Sequence, residues 1–337
     1  KSHNNATTHY GSQCINVIKD RCACTKLLPS SSLSFQVGLP LNGFIMKFYF
    51  RRQQQTSSSL MVYMKNLTAA DFLLCLSLPL RITFYASKSA IVQQLYCSFG
   101  ASALLLNMYA SILFMGHIAV NRYLKIVHPS GTHILQSVRA AHIISMVTWV
   151  SLLAPAVIYT ILFFITQKPL NSIPSCCDPF ISASISLFFT IIHTLSTIIF
   201  LVVFISMVFF YYSTSRRVLQ AQQRQLASSG SEKLLKSRRN MLVLVSIFCV
   251  CFVPYHLVRL PSTFLTSNRS VVSVLNYIME VTTMLAVFNI CLDPVVYFFL
   301  SKTFRSQVRM VSWRGNIQQV NEQEGAAGHC YSSELSQ

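Results

Sequence analysis

His256 and Arg259 stand three residues apart in "CFVPYHLVRLP", a spacing that puts both on one face of a helix. A guanidinium so placed makes planar, paired hydrogen bonds to a phosphate or a carboxylate. Arg81, Tyr109 and Glu280 are the other polar candidates for a pocket, three or four helical turns outward from the middle of long apolar runs. Two arginines beneath an apolar bundle point to an anionic headgroup whose lipid tail lies between helices. Glu280 then meets either a choline-like cation or Arg259. Asp71 and Asp293 are two further acids inside apolar segments, where an ionisable side chain is functional by default. Arg122, in Asn121-Arg122-Tyr123, closes the apolar run "LLLNMYASILFMGHIAV". At the centre of a bilayer it would cost roughly 2.5–3.5 kcal/mol. It therefore belongs at the membrane edge, as a contact for a partner beyond the lipid or as a snorkelling anchor.

Composition selects the elements that must position these residues. Of 337 residues, 53% are hydrophobic and 11% charged, where a soluble domain carries about 25% charged residues. A spanning helix needs about 20 mostly apolar residues, and the candidates run over 27–50, 61–86, 97–124, 140–165, 181–212, 239–263 and 274–300. The first is the poorest, with Pro29, Ser30-Ser31-Ser32, Pro40 and Lys47 inside it. The expected fold is thus an all-α membrane protein, a bundle of seven transmembrane helices over 27–300. Basic and apolar residues alternate at helical spacing in "SKTFRSQVRMVSW", which predicts a short membrane-surface helix over 301–312. Residues 1–26 are read as an extracellular segment and 313–337 as a disordered cytoplasmic tail. The polar opening "KSHNNATTHYGSQ" holds no cleavable signal peptide, and with Lys1 first the start of the chain is expected to lie upstream.

Charge gives the orientation. Two thirds of the 27 lysines and arginines, Arg51, Arg122, Arg217, Lys236 and Arg305 among them, fall on the side shared by the segments 51–60, 125–139, 213–238 and 301–337. The positive-inside rule makes that side cytoplasmic and places the amino terminus outside, in the plasma membrane. The net charge of +18 is thereby a matter of topology, and nucleic acid is not an expected partner. The sequons at Asn5 and Asn268 fall outside, where glycosylation occurs, while Asn66 lies at a cytoplasmic span end and should be unused. Cys97 opens the third span on the outer side, and a bridge to Cys176 or Cys177 would persist in that oxidising environment. Cys14, Cys22 and Cys24 lie outside as well, and "CAC" lacks partners at metal-ligand spacing, so no metal is expected. His117, His142 and His193 are isolated, with no HExxH, GxSxG or phosphate loop. The chain is not expected to be an enzyme. Repeated halves and broken helices, the signs of a transporter, are missing as well.

Asn42, Asp71, Cys97, Asn121-Arg122-Tyr123, Trp149, Tyr212, Phe248, Cys251-Phe252-Val253-Pro254 and Asp293-Pro294-x-x-Tyr297 occur in order, one or more to a span. Together they resemble the rhodopsin-like (class A) G-protein-coupled receptors over roughly residues 35–312. "NLTAAD", "NRY", "CFVPYH" and "LDPVVYFFLSKTFR" are similar to the branch that senses platelet-activating factor, with the purinergic and lysophospholipid branch close behind. The chain departs from both. Met279 stands where nucleotide receptors carry a lysine, and Arg81 and Arg259 stand where the platelet-activating-factor type has Trp and Gln.

The resemblance implies a receptor for a phospholipid mediator, or alternatively for a nucleotide, signalling through a heterotrimeric G protein. It implies that Arg122 and Tyr123 face the G protein, that Tyr212 and Tyr297 swing toward Arg122, and that Phe248 and Pro254 form a hinge, with Pro294 bending the seventh span. Asp71, Asn107, Asn289 and Asp293 would form a mid-membrane polar cluster, a place for a sodium ion; no other cofactor is implied. Asn121 replaces the acid that usually neutralises the arginine, and Leu234 and Arg238 leave the base of the sixth span without an acid. That predicts measurable basal signalling.

Overall fold

A computed structural model describes residues 28–51, 58–87, 89–128, 133–166, 183–223, 229–264, 269–301, 304–306 and 309–310. Among these residues all regular structure is helical. The seven long helices are α1 (Leu28–Arg51), α2 (Ser59–Ala86), α3 (Ala101–Val127), α4 (Val138–Thr166), α5 (Ala183–Gln223), α6 (Ser229–Phe264) and α7 (Arg269–Leu300). Six of them, α2 to α7, are long and apolar enough to cross a membrane.

The exception, α1, is the weak first span of the sequence, and its packing explains the weakness. Ser31, Ser34 and Asn42 are buried, while Leu33, Val37, Leu41 and Phe44 form an exposed stripe at helical spacing. The helix is inverted relative to a soluble one, with its polar side turned into the protein. Asn42 Nδ2 donates to Gly38 O at 3.0 Å and across to Ile290 O of α7 at 2.9 Å. Ser31 Oγ donates to Met284 Sδ at 3.3 Å. Bonds of this kind hold helices together where lipid supplies no hydrophobic drive between them. Gly38 is required here: a Cβ would meet Ile290 Cδ1 at 2.7 Å and Cys75 Sγ at 3.2 Å. Around that contact Leu74, Cys75 and Leu78 of α2, Leu104 of α3, and Val287 and Ile290 of α7 form a buried cluster.

The start of α3 is irregular. A short helix, Ala90–Leu95, runs into a π-turn, Tyr96–Gly100, before the regular helix begins. Gly100 leaves room for the Tyr96 ring, which a Cβ there would approach to 2.4 Å. Helix α4 lies at the periphery with most of its apolar surface exposed. Polar bonds seat it: Trp149 Nε1 donates to Asn66 Oδ1 at 2.8 Å, and Tyr159 Oη donates to Cys97 O at 2.9 Å. Asn66 is thereby half-buried and engaged.

Helices α5 and α6 outrun the apolar segments expected at 181–212 and 239–263. The α5 extension packs on α6: Thr214 Oγ1 donates to Met241 Sδ at 3.3 Å, and Val218 and Leu244 are buried. Residues such as Gln and Leu continue a helix readily once the chain leaves the lipid. By internal contact the chain divides after Pro294. The second unit, Val295–Gln337, contains the end of α7, where Ser301 caps a following turn by accepting from Phe304 N at 3.1 Å. Residues 304–306 and 309–310 are helical, within the expected surface helix 301–312. The rest of that helix, the segments 1–26 and 313–337, the sequons at Asn5 and Asn268, and Cys176 and Cys177 lie outside the described residues.

Candidate functional site

Two polar centres stand at the Glu280 end of the bundle. In the first, Arg81 of α2, only 3% exposed, donates through Nη2 to Glu280 Oε2 of α7 at 3.0 Å. Tyr85, one turn beyond Arg81, donates its hydroxyl to the same oxygen at 3.0 Å, and the guanidinium lies 5.5 Å from the Tyr85 ring centre. The sequence offered Glu280 to Arg259; in the structure Arg81 is the arginine that holds it. The reason is register, since α2 and α7 bring Arg81 and Glu280 level across the interface that also buries Leu78 against Val287. Tyr85 is absent from the sequence-derived site. Its i+4 spacing from Arg81 was the available signal.

The second centre gathers Tyr109 of α3, His193 and Ser196 of α5, and Tyr255, His256 and Arg259 of α6. Tyr109 Oη and His256 Nε2 are 3.3 Å apart, and His256 Nδ1 lies 2.8 Å from Phe252 O. A carbonyl only accepts, so the neutral ring carries its proton on Nδ1 and Nε2 accepts from the tyrosine. Ser196 is in hydrogen-bonding reach of the Tyr109 hydroxyl, and the Arg259 guanidinium is in electrostatic reach of Tyr109, His193 and Tyr255. The structure thus brings together Tyr109, His256 and Arg259 as expected. It adds His193, which looked isolated because its neighbours come from other helices.

Below this centre an aromatic column joins α5 to α6. The His256 ring stacks on Phe200 at 3.7 Å, Phe200 on Phe248 at 5.7 Å, and Phe204 on Phe248 at 6.2 Å. Phe248 is fully buried, and Pro254 sits half-buried on the same helix. The column thus links His256 by ring contact through Phe200 of α5 to Phe248 in the middle of α6.

Deeper still lies the polar cluster. Asp71 and Asp293 are both fully buried and adjoin each other, and Asn289 Nδ2 donates to Asp293 Oδ2 at 2.8 Å. Asn107 and Ser111, also buried, follow Leu104 at one and two turns on the strip of α3 that meets α2. Asn289 Oδ1, Asp293 Oδ1 and Ser111 Oγ make no hydrogen bond among the described residues. Two adjoining carboxyls with the Asn289 amide oxygen beside them are the kind of donors that fit a hard cation.

At the opposite end, Asn121 Nδ2 donates to Ser59 Oγ of α2 at 2.8 Å, both residues being buried. Tyr123 stacks on Phe210 of α5 at 4.8 Å. Arg122 is half-buried between them in sequence, and Leu234 and Arg238 are half-buried on α6. Tyr212 differs from expectation. It is 57% exposed with Arg216 over its ring at 5.7 Å, on the outer face of α5. The inward strip at that level, Met207 and Thr214, is continued by the half-buried Tyr211. A doubled tyrosine leaves the sequence ambiguous by one residue, and one residue is about 100° of helix. Tyr297 is buried, while Pro294 lies half-buried inside α7. Cys97 is disulfide-bonded, and Cys75, Cys249, Cys251 and Cys291 are free thiols.

This arrangement has relatives. The chain is 32% identical to purinoceptor 14 of Bos taurus over 282 residues, 80% of each protein. It is 30% identical to lysophosphatidic acid receptor 6 of Mus musculus over 291 residues, 84% of this chain and 82% of the relative. It is 27% identical to platelet-activating factor receptor of Rattus norvegicus over 290 residues, 82% of each. The family profile described as 7 transmembrane receptor (rhodopsin family) matches residues 41–297, so the chain belongs to the rhodopsin family of seven-transmembrane receptors, and is a multi-pass membrane receptor rather than an enzyme.

Proposed function

We propose that the chain is a cell-surface receptor for a phospholipid mediator that has one phosphate headgroup and one long chain, and that it signals through a heterotrimeric G protein. The observation that carries this reading is the placing of the two arginines. Arg81 is engaged by Glu280, while Arg259 lies in a corner with Tyr109, His193 and Tyr255, a set of donors suited to a phosphate beside apolar helix walls. The similarity to lysophosphatidic acid receptor 6 and platelet-activating factor receptor supports a lipid. A headgroup of the platelet-activating-factor type would bring its choline to Glu280. The similarity to purinoceptor 14 favours a nucleotide as the second reading, and Met279, in place of a lysine, argues against it.

In this reading the amino terminus is extracellular, Cys97 pairs with Cys176 or Cys177, and Asn5 and Asn268 carry glycans. Asp71, Asn289 and Asp293 hold a sodium ion with Ser111, and Asn107 completes the cluster. Arg122 and Tyr123 receive the G protein. Tyr211, in place of Tyr212, moves inward with Tyr297 as α6 turns about Phe248 and Pro254. The surface helix at 301–312 leads to a cytoplasmic tail.

The test is G-protein activation in cells expressing the chain, challenged with ether-phospholipids, lysophospholipids and nucleotides. A lipid response lost in Arg259→Ala, with surface expression intact, is the expected result. A response to nucleotides alone would overturn the lipid reading.

A further inference from the structure

The link from α3 to α4 carries two histidines that lie outside both polar centres. His128 caps the end of α3, its N–H donating to Leu124 O at 2.7 Å. His133 opens a single 3-10 turn, Ile134–Gln136, by accepting from Leu135 N through Nδ1 at 3.3 Å. The two rings lie with centroids 5.5 Å apart and planes 31° from parallel. Gln136 Nε2 closes the loop on itself, donating to His128 O at 3.2 Å. Ser137 N donates to Ile134 O at 3.0 Å, and Ser137 Oγ accepts from Ala140 N at 3.1 Å, so the turn runs straight into α4. The turn packs against the ends of α3 and α4. It holds out Ile134, which at 80% exposure is the most exposed large apolar side chain among the described residues.

These contacts need a neutral His133. Nδ1 accepts only while it keeps its lone pair, which puts the ring proton on Nε2. A second proton goes to Nδ1 and turns it into a donor aimed at the Leu135 N–H. The adjoining sequence offers no counter-charge. The charged and titratable groups on the flanking helix ends are Arg122, Tyr123 and Lys125 of α3 and Arg139 and His142 of α4, and no Asp or Glu occurs between Asn121 and Ile143. Arg122 is already in electrostatic reach of Lys125. A charge on His128 would face one on His133 across the ring pair. The loop is therefore held at high pH and released as pH falls through the range, about 8 to 5, in which histidine takes up its proton.

We propose that His128 and His133 form a proton-sensitive clasp on this loop, which keeps Ile134 in place beside Arg122 and Tyr123 and lets go when the cytoplasm turns acid, lowering G-protein coupling. This rests on the reading of the Arg122 end as cytoplasmic and G-protein-facing. His133 is the sensor, because its own Nδ1 makes the bond that a proton destroys. His128 and the surrounding cations raise the cost of the charge. Release of the turn frees Ile134 on one side, and on the other it loosens the start of α4 that Ser137 caps.

The test uses the full receptor in phosphatidylcholine nanodiscs at about pH 7.5 and about pH 6.0, with His133→Asn as the comparison. Asparagine caps a helix start through a side-chain oxygen that does not titrate. Protection of the Leu135, Gln136 and Ser137 amides against hydrogen exchange is measured on the millisecond scale, relative to an unstructured peptide of the same sequence. In wild type it is expected to fall at least three-fold between the two pH values, and in His133→Asn to stay constant. Nucleotide exchange on a panel of purified heterotrimeric G proteins, with oleoyl lysophosphatidic acid present, should fall at least three-fold in wild type relative to His133→Asn. His133→Ala, which lacks the cap at either pH, should couple weakly at both. Equal protection of the wild-type loop at the two pH values would overturn the clasp. Protection that falls while coupling keeps pace with His133→Asn would overturn its role in signalling. If no G protein responds at either pH, the receptor reading fails instead, and hydrogen exchange alone judges the clasp.

Discussion

Asn121 shows how one atom changes what a helix end can do. An acid at this position would accept from a neighbouring arginine; the amide instead donates to Ser59 across to α2. The contact is thus a neutral hydrogen bond, worth about 0.5–1.5 kcal/mol net, rather than a charge-assisted one of about 1.5–3 kcal/mol. Asn121→Asp is expected to lower basal G-protein signalling, and Ser59→Ala, which orphans the buried amide, to raise it. Both are read at matched surface expression, and a basal signal no higher than in untransfected cells would remove the premise. The same scale separates the doubled tyrosine. Tyr211→Phe should reduce agonist-stimulated signalling several-fold, while Tyr212→Phe, on the outer face, should leave it close to wild type.

Elements meet at a few close contacts, and these set the sensitivity of the bundle. At Gly38 the α1 backbone approaches α7 and α2 closely enough that a methyl group would collide with the Ile290 and Cys75 side chains. Gly38→Ala is expected to cost about 1–3 kcal/mol by overpacking, visible as a lower melting temperature of the purified receptor. Arg81 and Glu280 tie α2 to α7. Removing the arginine alone strands an acid that is about one-third exposed, so the penalty should reach only about 1–3 kcal/mol. Arg81→Leu combined with Glu280→Leu should recover part of it, as apolar replacement of a largely buried ion pair does. A thermal-shift comparison of the single and double variants decides this. If the double variant is less stable than Arg81→Leu, the pair contributes more than the acid it neutralises.

For the whole molecule, the buried acids carry the most general consequence. Asp71 from α2 and Asp293 from α7 adjoin each other at full burial, with oxygen atoms of Asn289 and Ser111 left without a hydrogen bond among the described residues. A sodium ion held there, as we propose, would tie α2 to α7 through the two carboxyls. Replacing choline chloride by sodium chloride at equal ionic strength should raise the melting temperature of the receptor, and Asp71→Asn should abolish the rise. An unchanged sodium response in that variant would move the cation elsewhere.

Much of this architecture was legible in the residues alone. Spans α2 to α7, their order, and the residues of the Asp71 and Arg122 regions follow from apolar run length and from ionisable side chains that lipid tolerates only at particular places. Those are local properties, and a sequence carries them directly. Helix α1 was legible only as a doubtful span, because its polar side is satisfied by α7, more than two hundred residues away. The partner of Glu280, the recruitment of His193 and Tyr85 and the outward turn of Tyr212 were settled by the tertiary structure. Each depends on the rotation and depth of one helix against another. Helix packing sets those two quantities through contacts between residues far apart in the chain.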